Sequence, residues 1–170
     1  MSNILAIDPS GNFSEGKGTT GWAILVDGEL TQVGEVRAIR YQKKEEYWGE
    51  IVKVILQCAR KLNLTVICES YQLYHHKGQR AESQAHSVME TPQLIGVLSY
   101  ICYSCKIPLF FQSAAQVKTR WKDEILVQKG FIQKKGPNYY FNGQRINQHI
   151  RDAIRHAVHF WKYGVKRWKS

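Results

Sequence analysis

The stretch NILAIDP (3–9) opens the chain with a short apolar run that ends on an acid and a proline. Its apolar residues predict a buried strand over 4–8. A second strand is predicted over 21–26, and the Asp-Gly pair at 27–28 is typical of a tight hairpin turn. A third strand, over 30–39, follows directly. The start of the chain therefore predicts an antiparallel meander.

Short apolar runs and helical periodicity alternate through the rest of the chain. The predicted elements are a helix over 44–62, a strand over 65–68, a helix over 91–105 with Pro92 in its first turn, a strand over 106–111, a helix over 113–128, an irregular hairpin over 130–146 and a last helix over 147–163. Three consecutive strands followed by this alternation indicate one α/β domain over 1–170. Its sheet is expected to be mixed, with an antiparallel edge.

The composition excludes several classes of protein. With 44% hydrophobic and 12% aromatic residues, the chain can form a core and is too apolar for a disordered protein. No uncharged apolar run reaches the roughly 20 residues of a membrane span, and no secretion signal opens the chain. Four unevenly spaced cysteines do not predict a disulfide scaffold, so we expect a reducing, cytoplasmic location.

The formal net charge of +10 is carried by the last third of the chain. Residues 1–115 contain 11 basic and 11 acidic side chains, whereas residues 116–170 contain 13 basic and 3 acidic ones. A neutral body with a basic final segment favours a polyanionic partner, most simply a nucleic acid. A basic surface that only keeps the protein soluble is the alternative.

Two acids directly follow predicted strands. Asp8 ends the first strand, and Glu69 follows the short strand TVIC (65–68). A carboxylate beside a buried strand is costly to desolvate unless it is paired or binds a metal. If the two strands are neighbours, both carboxylates lie at the same edge of the sheet. The alternative is that these are two solvated acids at strand ends.

The last predicted helix supplies a third acid. His149 and Asp152 are three residues apart and share a face, which continues through His156 and His159 and lies opposite an apolar stripe. If this helix crosses the centre of the sheet, three carboxylates and an imidazole form a site suited to Mg²⁺ or Mn²⁺. Otherwise the polar stripe is only the solvent-exposed side of an amphipathic helix.

Several stretches, in the same order as in a known family, carry a resemblance that spans nearly the whole chain. They are NILAID (3–8), TTGWAIL (19–25), ICE (67–69), ETPQLIGVL (90–98), LFFQSAAQVKTRW (109–121) and HIRDAIRHAVHF (149–160). The chain thereby resembles a RuvC-type Holliday junction resolvase of the ribonuclease H-like superfamily, from a bacterium or a bacteriophage. The resemblance implies a ribonuclease H-like α/β fold with a mixed five-stranded sheet flanked by helices. It also implies a homodimer, and the apolar helix around 94–105 is consistent with one.

The resemblance also implies a catalytic site. The positions that match the family's metal ligands are Asp8, Glu69, His149 and Asp152. Two Mg²⁺ ions about 3.5–4 Å apart would activate water and stabilise the leaving 3′ oxygen of a phosphodiester. Because imidazole suits transition metals, Mn²⁺ is expected to substitute for Mg²⁺. Lys118, in QVKT, matches a family lysine near the scissile phosphate. No small-molecule cofactor is expected.

Basic and aromatic residues near the predicted site are candidates for DNA contacts. The segment 71–80 combines tyrosines that could stack on unpaired bases with cations that could hold phosphates; an ordinary surface loop is the alternative. Lys134 matches a second family lysine in a region, 121–146, that otherwise departs from the family pattern, and an ordinary surface lysine is the alternative there. The candidates are Tyr71, Tyr74, Lys77, Arg80, Lys118, Arg120, Lys134, Arg145, Arg151 and Arg155.

We therefore expect a metal-dependent endodeoxyribonuclease that resolves four-way DNA junctions by paired symmetric nicks. Two alternatives remain open. One is a related nuclease with a relaxed choice of flaps, forks or RNA–DNA hybrids. The other is a non-catalytic protein that binds junctions and retains the acids as remnants.

Overall fold

A five-stranded sheet forms the centre of the protein, with strands in the order β3-β2-β1-β4-β5. The structure is a computed structural model that describes residues 3–14, 16–71 and 79–164, and only the backbone over 79–88. β1 pairs antiparallel with β2 and parallel with β4, which is parallel to β5. The predicted mixed five-stranded sheet is thus confirmed. Its strands are β1 (Asn3–Asp8), β2 (Thr19–Val26), β3 (Glu29–Arg37), β4 (Leu64–Glu69) and β5 (Leu109–Gln112).

Helices cover both faces of this sheet. One face packs against α1 and α2 through buried side chains that include Tyr47, Ile51 and Leu94. On the other face, α5 lies across β1 and β2, because its Ile150 and Ala153 are buried against the sheet. The helices are α1 (Lys44–Lys61), α2 (Gln79–Ser104), α3 (Ala114–Arg120), α4 (Asp123–Gln128) and α5 (Gln148–His159). In the described part of the chain, no helix is long and apolar enough to cross a membrane.

The start of α5 is capped by a side chain. The Asn147 side chain accepts a hydrogen bond from the Ile150 amide at 3.0 Å, which satisfies one of the unpaired donors at the helix end. The α-helical hydrogen bonding ends at His159, where a π-helical turn over Phe160–Gly164 begins, whereas the sequence predicted one helix to residue 163.

Two helices differ from their predicted bounds. α2 begins at Gln79 instead of residue 91, so Pro92 lies inside it rather than in its first turn. The predicted start was wrong because the polar residues before Pro92 carry no apolar periodicity. The helix predicted over 113–128 is divided into α3 and α4 at Trp121, whose backbone leaves the helical region and whose side chain is buried.

Residues 130–146 form more regular structure than the predicted irregular hairpin. They make a second sheet in the order β6-β7-β8, with β6 at Gln133–Lys135, β7 at Asn138–Phe141 and β8 at Gln144–Ile146. The two turns of this sheet contain Gly136, Asn142 and Gly143, all with positive φ. Glycine and asparagine tolerate this backbone better than other residues, which is why such short strands can reverse here.

Candidate active site

The sheet brings Asp8 and Glu69 to one edge. β1 and β4 are parallel neighbours, paired up to Ile7 and Cys68, and each ends on its acid at the following residue. Asp152 comes from α5, which crosses β1 and β2. The carboxylates of Glu69 and Asp152 are near enough to raise the pKa of Asp8 by repulsion. Three acids that are distant in sequence therefore lie near one another at the same end of β1 and β4.

Asp8 is buried and is hydrogen-bonded to His149. The Asp8 Oδ2 lies 2.8 Å from the His149 Nδ1. Burial raises the pKa of Asp8 above its ordinary value, although the His149 hydrogen bond opposes this rise. The same hydrogen bond raises the pKa of His149. This hydrogen bond holds the Asp8 carboxylate and the His149 imidazole against each other at the end of β1.

Lys118 joins the other two acids. Its ammonium is 3.1 Å from the Asp152 Oδ2 and 3.4 Å from the Glu69 Oε2. Burial lowers the pKa of Lys118, but attraction to Asp152 and Glu69 outweighs that effect and raises it overall. A cation thus bridges two of the carboxylates that were predicted as metal ligands.

Asp152 is also held from within α5. The Gln148 amide donates to both of its carboxylate oxygens, at 3.1 and 3.2 Å, and the Arg155 guanidinium forms an ion pair with it. Arg155 is itself fixed, since it donates to the Trp121 carbonyl at 2.7 Å and to the Asp123 carboxylate at 2.5 Å. These contacts hold Asp152 in a defined position.

His156 is a site residue that the sequence analysis did not assign. It is fully buried, and its two ring nitrogens lie 2.9 Å from the Glu69 Oε2 and 3.0 Å from the Gln112 Oε1. Burial raises the pKa of Glu69, but His156 and Lys118 outweigh this effect and hold it below the ordinary value. The signal was available, because His156 lies one turn beyond Asp152 on the same face of the helix.

The loop after Asp8 is attached to α2. The Glu90 carboxylate accepts hydrogen bonds from the Phe13 amide at 2.8 Å and from the Ser14 amide and hydroxyl at 3.2 and 2.7 Å. The Gly11 amide donates to the Thr91 hydroxyl at 3.0 Å. Burial raises the pKa of Glu90, but these hydrogen bonds outweigh it, so the pKa is lowered. α2 therefore positions the loop that follows Asp8. We call the end of β1 and β4 where Asp8, Glu69 and Asp152 lie the acidic edge.

The donor atoms at the acidic edge fit divalent cations in kind. Carboxylate oxygens and an imidazole are ligands of Mg²⁺ and Mn²⁺. The Lys118 ammonium, which forms ion pairs with both Glu69 and Asp152, shows that a cation fits between these two carboxylates. As the described residues are arranged, however, no three of their His, Cys, Asp and Glu side chains form a group that could hold a metal ion. Each carboxylate instead has a cationic or imidazole partner.

The candidate DNA contacts are dispersed around this site. Arg120, Lys134 and Arg145 are exposed, and Tyr71 is half-buried. Arg151 bonds to Asp123 and Gln148 and lies 4.5 Å from the centre of the Tyr139 ring. Tyr74, Lys77 and the Arg80 side chain lie outside the described residues.

The position of Arg155 departs from its expected role. It is only 6% exposed, and its guanidinium is engaged by Asp152, Asp123 and the Trp121 carbonyl. In this arrangement it holds the site together instead of facing a DNA backbone. Arg155 is buried because the segment around Trp121, which joins α3 to α4, packs over it on α5.

Comparisons with known proteins define the fold. No protein-family model matches the chain, and no curated protein matches it in sequence. Among solved structures, RuvC from Thermus thermophilus in complex with a Holliday junction substrate superposes with a TM-score of 0.68 at 16% sequence identity, over 98% of this chain and 96% of that one. A second T. thermophilus RuvC structure gives a TM-score of 0.66 at 17% identity, over 97% and 96%. The chain has a RuvC-like fold.

Proposed function

From this fold and its acidic edge, we propose that the protein is a divalent-metal-dependent endonuclease that cuts branched DNA, with four-way junctions as its substrate. The observation that carries the proposal is the convergence of Asp8, Glu69 and Asp152 at one sheet edge with Lys118 between two of them. The similar RuvC structure that contains a Holliday junction substrate supports the choice of substrate. The basic final third of the chain supports a polyanionic one.

Asp8, Glu69, His149 and Asp152 would hold two Mg²⁺ ions, with Mn²⁺ able to replace them. Bound there, such ions supply a nucleophilic water and stabilise the charge that develops on the leaving oxygen. The chain itself supplies the positioning: Gln148 and Arg155 fix Asp152, and His156 fixes Glu69. Lys118, half-exposed beside both acids, is available to contact the phosphate of the strand to be cut.

We further propose that the protein acts as a homodimer assembled through α2. Met89, Val97, Tyr100 and Tyr103 are exposed on this helix, with Tyr103 at 83% exposure. Large exposed apolar side chains of this kind are typical of interaction surfaces. A two-fold dimer would present two equivalent sites to the two equivalent strands of a junction, as paired nicking requires.

One observation favours a second candidate, a junction-binding protein without nuclease activity. The buried Arg155 already pairs with Asp152. A buried ion pair of this kind compensates the carboxylate without any metal. In that case the protein would bind junctions with or without divalent ions and cut none of them.

One assay separates these functions. The chain is incubated with labelled four-way, three-way, flap and RNA–DNA hybrid substrates in Mg²⁺ and in Mn²⁺, and nicking and binding are both measured. We expect four-way junctions to be nicked, and Asp8→Asn to abolish nicking while leaving junction binding unchanged. Equal cutting of all substrates would establish a relaxed nuclease. Binding without nicking in either metal would establish the non-catalytic protein.

A further inference from the structure

A polar cavity lies beside the acidic edge, between β3, the small sheet and the start of α5. Its volume is about 670 Å³, which is within the range of about 300–1,000 Å³ of small-ligand sites. Three arginines line it, Arg37, Arg145 and Arg151, and Glu35 is the one acid among the described residues of its lining. Arg37 compensates Glu35 at 2.5 Å, the Asn147 amide also donates to Glu35, and Arg151 pairs with Asp123. Among the described residues, Arg145 is therefore the arginine of the lining without an acid partner. The cavity therefore favours an anionic or polar occupant.

Three polar side chains of the cavity make no polar contact among the described residues. Asn138, Gln144 and Arg145 line it, and within the described part of the chain none of their side chains makes a hydrogen bond or an ion pair. By contrast, Asn147 caps α5 and Gln148 holds Asp152. Two carboxamides and a guanidinium with unused hydrogen-bonding capacity are the groups that most often bind base edges and phosphates.

The sheet register fixes how far the cavity lies from the acids. Asp8 pairs with Gly21 across β1 and β2, and Gly21 pairs with Glu35 across β2 and β3. Two strand spacings separate Asp8 from Glu35, or about 9–10 Å. That distance corresponds to about three nucleotides of a stacked strand, at about 3.4 Å each. Gln148 also connects the two places, because it lines the cavity and binds Asp152.

We propose that this cavity binds a nucleotide of the strand that crosses the acidic edge, a few positions from the reacting phosphate. Arg145 holds its backbone phosphate, and Asn138 and Gln144 hydrogen-bond to the edge of its base. The proposal rests on the proposed function, since it takes the strand at the acidic edge to be DNA. According to this proposal, the cavity recognises the base of that nucleotide and gives the protein a local sequence preference.

Binding measurements without divalent ions test the cavity separately from catalysis. Fluorescein-labelled single-stranded DNA and a labelled four-way junction are titrated at several salt concentrations. Log affinity falls with log salt concentration, and Arg145→Ala should make this fall shallower by about one unit of slope, as expected for one lost phosphate contact. The control Arg60→Ala removes the same charge from an exposed position of α1, on the opposite face of the sheet, and should leave the slope unchanged.

The base contact is tested with four homopolymeric single strands. Gln144→Ala should reduce the difference in affinity between the best and worst strand by about fivefold or more, whereas Gln57→Ala, on the exposed side of α1, should not. An unchanged salt slope for Arg145→Ala would overturn the phosphate site, and an unchanged base preference for Gln144→Ala would overturn the reading of the base. Because Arg145 is exposed, its loss should not impair folding, and urea unfolding verifies this.

The outcomes also distinguish the two proposals. Junction nicking by the unaltered chain, together with normal strand binding by Arg145→Ala, would leave the proposed function standing and remove the cavity from it. Weakened strand binding by Arg145→Ala, in a chain that never nicks a junction, would support the cavity and contradict the nuclease.

Discussion

At the scale of single residues, His156 has an unusual position for an ionisable group. It is completely enclosed, and both of its ring nitrogens face oxygen atoms, one on Glu69 and one on Gln112. A buried polar group is tolerated when its hydrogen bonds are satisfied, and the penalty appears when one partner is removed. His156 is therefore a positioning residue for Glu69.

Replacing His156 tests this role. We expect His156→Phe to lower the free energy of unfolding by about 1–3 kcal/mol, because Glu69 and Gln112 each lose a buried partner. The same variant should reduce nicking. His156→Gln should recover part of both, since its carboxamide can still donate to Glu69. Urea unfolding and a nicking assay measure the two effects, and equal unfolding midpoints for the two variants would contradict the role.

Glu90 provides a pH-dependent contribution to stability. Its hydrogen bonds from Phe13 and Ser14 hold its pKa below the ordinary value of 4.5. The ionised form therefore stabilises the fold above about pH 4.5, and the contribution is lost as the pH falls through the lower folded-state pKa.

We expect Glu90→Gln to be less stable than the unaltered chain at pH 7 and to approach it in stability as the pH falls below 4.5. Thermal unfolding across this pH range measures the difference. Glu29→Gln, at an exposed position of β3, is the matched control, and it should show no such convergence. A stability difference for Glu90→Gln that stays constant with pH would argue against ionised Glu90 as its source.

At the scale of secondary-structure elements, the approach of α5 to β2 depends on Gly21. A Cβ atom at this position would overlap the His149 carbonyl and the Ile150 amide. Gly21 also pairs with Asp8 across the sheet. The small residue thus permits the close contact that brings His149 to Asp8.

Gly21→Ala should therefore move the start of α5 away from the sheet. We expect a loss of about 1–3 kcal/mol of stability from overpacking and a marked loss of nicking. Gly49→Ala is the control, because a Cβ there meets nothing within 4 Å and α1 should gain about 0.5–1 kcal/mol. Chemical unfolding measures both changes, and unimpaired nicking by Gly21→Ala would exclude the close contact as a requirement.

The elements that are visible in the sequence are those whose pattern reflects burial. β1, β2 and β4 are continuous apolar runs that end on turn residues or acids, so their positions and the acidic edge could be predicted. The first turns of α2 are polar and depend on the whole helix, and β6 to β8 are too short to show periodicity. The contacts that hold Arg155 and His156 from outside α5 could not be predicted, because the Trp121 carbonyl and Gln112 meet these side chains only through packing.

At the scale of the whole molecule, the opposite faces of the sheet carry different groups of side chains. The acidic edge and the arginine-lined cavity adjoin α5, whereas Met89, Val97, Tyr100 and Tyr103 are exposed on α2, which packs on the other face. The basic final third of the chain supplies the first face. This division leaves α2 accessible to a second copy.

We expect the chain to sediment at twice its mass of 19.7 kDa. Tyr103→Glu should shift the equilibrium toward the monomer, because it places a charge in an apolar contact. Ile39→Glu is the matched control, since Ile39 is 76% exposed outside α2. Sedimentation over a range of concentrations measures the effect, and a monomeric unaltered chain would refute dimerisation through α2.

Glu90 and Thr91 attach the loop after Asp8 to the same helix whose outer side carries Tyr100 and Tyr103. One helix thus contacts both places, the one that a substrate would occupy and the one that a second copy would occupy. Binding free energies that share such an element are coupled reciprocally. If a DNA strand bound at the acidic edge moves α2 toward the sheet, the association of two chains becomes stronger or weaker. The coupling free energy is the same whichever of the two partners binds first. Comparing dimer dissociation with and without bound DNA would give the sign and size of that coupling.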